Sequence, residues 1–265
     1  MVTEASETRC DPELSLVMPC FNEEEIVSLT ISKLLDVFAK AGYHIEIVAV
    51  DNGSRDRTGE IIKSWAARSK SVVHHRVERN QGYGNGILSG IPMAAAPWVG
   101  IIPADGQVDA EDVVRLFEVA RSSNAWVLAK ARRCFRLDGL VRKIVSIGYN
   151  LMFRMMWPSV ASIDINGLPK IMPREALVAM GLKSRGWFLD PEIMIKSSAL
   201  GMRVIEFNVF ARLRGGGVSH VKAGTCWDFF TNMLQYRFRG TWRRELVRDR
   251  DAVVNCAPAN VKTNA

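Results

Sequence analysis

An α/β fold with a mostly parallel, helix-covered sheet is the architecture expected of this chain. Two observations lead to it. Short apolar runs alternate with amphipathic stretches of helix length, the order that builds parallel sheets. Two of those runs, Ile45–Val50 and Val99–Ile102, lead into glycine-containing turns that carry Asp51 and Asp105. Open α/β sheets bind ligands at the carboxyl edge of their strands. Two acidic turns there predict a site for a base or sugar and for a metal-bound phosphate.

The elements follow in order. Leu16–Met18 is a short apolar run ended by Pro19. Asn22 and the acidic residues Glu23, Glu24 and Glu25 then open a helix predicted from Glu24 to Lys40, since acidic residues suit a helix start and Gly42 stops it. Its apolar stripe is Ile26, Leu29, Leu34, Leu35 and Phe38. Ile45–Val50 reads as a buried strand, Asp51 to Ser54 as a turn, Thr58 to Ala67 as a helix and Val72–Val77 as a strand. The glycine-rich stretch Asn80 to Gly86 leads into a helix reaching Ala95. Val99–Ile102 is the next strand, and Asp109 is placed to cap a helix over Ala110–Ala120. Ala125–Ala129 reads as a strand and Leu140–Trp157 as a longer helix. From Asp164 to Ile171 the pattern is irregular chain with a short strand, then a helical turn or two over Pro173–Met180. A helix Asp190–Leu200, a strand Val204–Val209, a loop from Arg214 to His220 and a helix over Cys226–Arg239 complete the reading.

With 265 residues, 48% of them hydrophobic, the chain has enough apolar surface for a sizeable core. The polar residues 1–13 read as a flexible segment without the apolar core of a secretory leader, 14–222 as the folded domain, and 223–265 as a basic extension with an amphipathic helical stretch. No apolar run reaches the roughly 18 residues of a spanning helix, so the expectation is a cytoplasmic protein, free or peripheral on the cytoplasmic membrane face. Five scattered cysteines with no CxxC argue against a disulfide framework or a zinc knuckle and fit a reducing compartment. The net charge of +7 comes in large part from Arg237, Arg239, Arg243, Arg244, Arg248 and Arg250, and favours anions of any kind. Without an aromatic–basic repeat or a zinc pattern, nucleic acid is not the expected partner.

Several residues carry chemistry. Glycines at 82, 84 and 86 would let backbone N–H groups approach phosphate oxygens, or they simply make a turn; neither the dinucleotide fingerprint nor the P-loop is present. Asp51 could accept hydrogen bonds from a base, or close an Asx turn. Asp105 and Gln107, two residues apart, could converge on Mg²⁺ or Mn²⁺ with substrate phosphates completing the shell, or form a helix-entry turn. Asp190 or Glu192 could be a general base, or the two could cap the helix behind them. His44, His74 and His75 form no spaced metal set and read as structural, while His220 follows the Arg214 loop and could touch phosphate.

Taken together, Val17–Glu24, Val50–Asp56, Arg79–Gly84, Ala104–Gln107, Asp164–Gly167, Phe188–Glu192 and Arg214–Ser219 resemble family 2 inverting glycosyltransferases of the GT-A fold. Within that family the order and spacing are most similar to the dolichyl-phosphate mannose synthase and polyprenyl-phosphate glycosyltransferase branch. The resemblance covers residues 14–222 and implies a Rossmann-like, mostly parallel sheet. It implies that Pro19, Asn22, Glu23 and Asp51 line the nucleotide of a nucleotide-sugar donor of the GDP-mannose or UDP-glucose type, with Asn80, Gly82 and Gly84 beside them. Asp105 and Gln107 would hold Mg²⁺ or Mn²⁺ against the diphosphate, and Arg132, Arg214 and Ser219 would meet phosphate. Asp164, Glu192 and His220 would lie on the acceptor side, and Asp190 would activate the acceptor. One departure stands out: where the branch has Asp-x-Asp-x-Gln, the first position here is Pro103.

The implied acceptor is a polyprenyl or dolichyl phosphate; the alternatives are a soluble hydroxyl acceptor, or a module that binds the nucleotide sugar without turnover. An acceptor phosphate is already ionised, whereas a hydroxyl would need Asp190 to take its proton. Two stretches could pack into the core or lie on lipid: Leu140–Trp157, with Arg142, Lys143 and Arg154, for which core packing is the plainer reading, and the aromatic run Trp227 to Phe238 before the arginines.

Overall fold

The computed structural model describes residues 11–123, 126–133, 140–160, 162–209 and 231–238. The strands are β1 Leu14–Cys20, β2 Ile45–Asp51, β3 Val72–Arg76, β4 Trp98–Ile101, β5 Val127–Arg133, β6 Lys170–Pro173 and β7 Arg203–Val209. The α-helices are α1 Val27–Lys40, α2 Thr58–Arg68, α3 Tyr83–Gly90, α4 Ala110–Ser122, α5 Leu140–Met156, α6 Arg174–Ala179 and α7 Leu189–Ala199. Among the described residues the strands form one sheet in the order β3-β2-β1-β4-β6-β5-β7. β1 runs parallel to β2 and β4, β2 to β3, and β5 to β7. β6 is antiparallel to both β4 and β5.

Side chains on β1 and β2 alternate between two cores, as a period of two requires. Leu14, Leu16 and Met18 of β1, with Ile45, Ile47 and Ala49 of β2, pack on α1 and α4 through Ile31, Leu34, Phe38, Val113, Leu116 and Phe117. Val17, Val48 and Val50 face the other way, toward Ile87 of α3 and a core that includes Phe153 of α5 and Ile193 and Met194 of α7. The sheet is therefore covered on both faces, which explains why β1 and β2 read as almost unbroken apolar runs. α3 crosses β1 and β2 so closely that a methyl at Gly90 would lie 2.7 Å from Val50 Cγ2.

Most of the expected elements are present, with displaced ends. Helix α1 begins at Val27 rather than Glu24: the chain first makes a turn closed by the Ile26 N–H on Glu23 O at 3.1 Å, and Ile26, at φ −121°, stands outside helical geometry. The helix after the glycine stretch starts inside it, at Tyr83, and tightens into a 3₁₀ turn, Ile91–Met93, at Pro92, instead of continuing to Ala95. β5 starts later than expected and runs on to Arg133. The expected helix over Cys226–Arg239 is described only at residues 231–238, which are helical.

Candidate active site

β2, β1 and β4 are neighbours and parallel, so their carboxyl ends share one edge. The turns after them bring Pro19 to Glu23, Asp51 to Thr58 and Pro103 to Gln107 to that edge, and the turn after β3 adds Asn80 to Gly82. This is where an open α/β sheet presents ligands.

The turns after β1 and β2 are laced together. Asn22, at φ +55°, accepts the Arg55 N–H on Oδ1 at 2.9 Å, and its own N–H donates to Ser54 Oγ at 3.1 Å. Asp56 accepts both N–H and hydroxyl of Thr58 together with the Glu24 N–H. Burial alone would raise the Asp56 carboxyl; the hydrogen bonds from Thr58 and from the Glu24 backbone outweigh it and hold the group below its ordinary value. Asp51 is wholly buried. Its Oδ1 accepts the Ser54 N–H at 2.9 Å and its Oδ2 lies 3.2 Å from Arg76 Nη1. This bond reaches three residues on, one further than an Asx turn, and a base reaching Asp51 would share the carboxylate with Ser54 and Arg76. Cys20, beside it in register, has its thiol pushed up by burial and then by the charges of Glu23 and Asp51, so it is no nucleophile.

Asn52 joins this lattice to the glycine loop: its Nδ2 donates to Gly82 O at 3.1 Å. Gly53, at φ +75°, has Asn80 N where a Cβ would sit. Gly82 and Gly84 are pressed against backbone carbonyls of Ser184, Arg185 and Gly186, and Asn85 N–H donates to Arg185 O at 2.7 Å. The space left by the missing side chains is filled by the segment ahead of α7, which is the steric reason for glycine there.

Asp105 is 5% exposed, and its Oδ1 accepts the Gln107 N–H at 3.2 Å. Thr30 of α1 donates to Ala104 O at 3.0 Å and fixes this turn from behind. The turn carries one carboxylate and one side-chain amide, and among the described residues no three His, Cys, Asp or Glu side chains gather into a metal cluster. These hard oxygen donors fit a Mg²⁺ or Mn²⁺ ion that shares its shell with substrate phosphates and water, rather than a dedicated protein cage.

On the other side of the sheet's centre lie two buried ion pairs that the sequence reading did not contain. Lys130 of β5 and Lys170 of β6 are register partners. Lys170 pairs with Asp190, which is 4% exposed. Lys130 lies 3.0 Å from Glu206 of β7 and donates to the Asp164 carbonyl. Burial, followed by the charge of Lys170, pulls the Lys130 ammonium down to about 8, against the opposing pull of Glu206 and Asp164. Burial, and then the charge of Asp190, pushes the Tyr149 phenol up. Glu192 turns to the chain ahead of α7, accepting the Ser184 N–H at 2.8 Å. Arg132 is half-buried on β5. Arg214, Ser219 and His220 lie outside the described residues.

Three relevant cations were therefore not foreseen: Arg76, Lys130 and Lys170. A signal existed for the lysines: Lys130 breaks the apolar run Val127–Ala131, and Lys170 stands directly before the apolar Ile171 and Met172. Arg76 is the register partner of Asp51 on β3, legible only once the strands are aligned.

The family model of Glycosyl transferase family 2 matches residues 15–168. The undecaprenyl-phosphate 4-deoxy-4-formamido-L-arabinose transferase of Pectobacterium atrosepticum is 34% identical over 142 residues, 53% of this chain and 43% of that protein. The match thus spans less than half the length of that relative. An uncharacterized glycosyltransferase of Mycobacterium tuberculosis is 32% identical over 214 residues, 78% of this chain and 89% of that protein. Among solved structures, glucosyl-3-phosphoglycerate synthase of Mycobacterium tuberculosis, in complex with Mn²⁺, UDP and glucosyl-3-phosphoglycerate, superimposes with a TM-score of 0.62 at 14% identity, covering 94% of this chain and 82% of that one. Such a likeness speaks to the fold, and the fold is GT-A. With more than half of the chain matched by one family model, and a relative aligned along most of both lengths, the chain belongs to glycosyl transferase family 2.

Proposed function

We propose that this chain transfers a sugar from a nucleoside-diphosphate sugar to a polyprenyl phosphate, with inversion at the anomeric carbon. The observation that carries the reading is the delivery of Asp51 and Asp105 to one edge by β2 and β4, on either side of β1, in a family 2 glycosyltransferase. The lattice of Asn22, Asp51 and Asn52 is rigid and polar, suited to a nucleoside. Asp105 and Gln107 would hold Mg²⁺ or Mn²⁺, which when bound neutralises charge on the leaving diphosphate. Arg132, with Arg214 and Ser219, which follow β7 in the sequence, would meet phosphate oxygens.

The buried Asp190 supports a phosphate acceptor. Its carboxylate is paired with Lys170, and an acceptor phosphate needs no base. In this reading Asp190 and Asp164 shape the acceptor side, and the acceptor oxygen attacks the anomeric carbon from the face opposite the leaving nucleotide. The relative named for undecaprenyl phosphate agrees with that acceptor class. A lipid acceptor would bring the chain to a membrane surface. Leu151 and Met155, 58% and 69% exposed on α5, and the exposed Phe238 would then be the apolar contacts.

The test is a screen of GDP-mannose and UDP-glucose with undecaprenyl phosphate or a soluble alcohol, in Mg²⁺ or Mn²⁺, read by product mass. Sugar on the lipid phosphate is the expected result. Transfer to the alcohol with none to the lipid would overturn the acceptor, and binding of neither donor would overturn the reading.

A further inference from the structure

Glu192 sits on the first turn of α7, almost inaccessible, two residues after Asp190. Its carboxylate accepts the Tyr236 hydroxyl at 3.4 Å on Oε1 and otherwise serves the segment that precedes its helix. Oε2 accepts the Ser184 N–H at 2.8 Å, and the Lys183 N–H lies 3.1 Å from Oε1 and 3.2 Å from Oε2. Lys196 Nζ is 2.8 Å from Oε1 and also donates to Gly181 O at 2.8 Å. One buried Glu–Lys pair therefore grips residues 181–184 at both ends.

The rest of that segment lies on the glycine loop. Arg185 O accepts the Asn85 N–H, and Arg185 Nη1 donates to Gln81 Oε1 at 3.2 Å. Trp187 stacks on Tyr83 with ring centroids 4.9 Å apart and planes at 10°, while staying 37% exposed. The loop beneath is held by Asn52, next to Asp51. Burying a charge pair carries a desolvation penalty of several kcal/mol per ion before any attraction is counted. What this pair secures is the path of residues 181–187, a strap joining the nucleotide-side loop to the helix that carries Asp190.

We propose that Glu192 is a positioning residue: it holds this strap on the glycine loop, so that the stacked Tyr83 and Trp187 form one wall of the cleft between donor and acceptor. This rests on the nucleotide-sugar reading above.

The experiment uses the full chain. Glu192→Gln removes one acceptor oxygen and the charge opposite Lys196. Acrylamide quenching of Trp187 is isolated by subtracting the matching Trp187→Phe protein in each background. Binding of UDP and GDP is measured by calorimetry, below the melting temperature of every variant. Glu192→Gln is expected to raise Trp187 quenching about twofold and to weaken the bound nucleotide about tenfold, as loss of positioning does. Adding Tyr83→Leu to Glu192→Gln should cost no more than Tyr83→Leu alone, because both act through one strap. Unchanged quenching, or fully additive losses in binding, would overturn the proposal. If Glu192→Gln does not fold, Glu192→Asp takes its place, keeping Lys196 paired while falling one methylene short of the strap, with the same outcomes. If the parent chain binds neither nucleotide, the nucleotide-sugar reading fails, and the quenching comparison still decides whether Glu192 holds the strap.

Discussion

Asp105 is nearly enclosed, yet it lies in the turn after β4, at the edge where the donor diphosphate is proposed to lie. Because Pro103 stands where a further carboxylate would help, Asp105 is the main negative charge available to a cation there. Asp105→Asn is expected to cut metal-dependent turnover at least tenfold, by analogy with other lost metal ligands. Equal turnover in a steady-state assay with saturating Mn²⁺ would count against that role. Asp190 invites a different measurement. A base role would make Asp190→Asn slow transfer to a hydroxyl more than to a phosphate, whereas its pairing with Lys170 predicts equal slowing of both, so the ratio of the two rates is the quantity to read. Equal slowing would assign Asp190 to holding the structure around Lys170 rather than to proton transfer. The carboxylates themselves were legible as residues; what each one touches was not.

At the level of elements, two packing arrangements make distinct demands. α4 presents Phe117 to Phe38 of α1, to Tyr43 after it and to Trp98 of β4, with centroids 6.3, 5.3 and 6.5 Å away. Phe117→Ala empties the centre of that cluster and should lower unfolding free energy by about 3–5 kcal/mol in urea titration. Asp109 announced the start of this helix, and burial of Phe117 follows from the helix's amphipathic face. β5 behaves differently, since it carries the buried Lys130. Below about pH 8 this lysine is charged in both states, and the folded state bears the full cost. Between about 8 and the ordinary value of 10.5 the folded protein gives up the proton while the unfolded chain keeps it. The unfolded state then binds more protons, so this group adds stability as pH rises through that window. Urea midpoints at pH 8 and pH 10 should therefore climb more in the parent than in Lys130→Met; parallel profiles would refute the assignment. The antiparallel course of β6, which sets Lys170 beside Lys130, was not visible in a four-residue strand whose composition is the same in either direction.

For the molecule as a whole, no helix among the described residues is long and apolar enough to cross a membrane. In the proposed reading, contact with a lipid acceptor comes through an exposed helix face. α5 buries Phe153, with Trp157 buried just past its end, and leaves Leu151 and Met155 exposed, so its outer face is the candidate lipid contact. Leu151→Glu with Met155→Glu is expected to reduce co-flotation with phosphatidylglycerol vesicles while leaving the melting temperature within a few degrees. Undiminished flotation would move the contact to another surface.

The chain's own periodicity determined the order of strands and helices, the parallel core of the sheet and the acidic turns at its carboxyl edge. Those features depend on neighbours within a few residues, which is what a periodic pattern records. Only the tertiary structure decided that Arg76 meets Asp51, that Lys170 meets Asp190, and that the glycines at 82 and 84 receive the strap ahead of α7. Each of these joins parts of the chain far apart in sequence, and the partner of a buried charge is set by strand order and register, which no local pattern encodes.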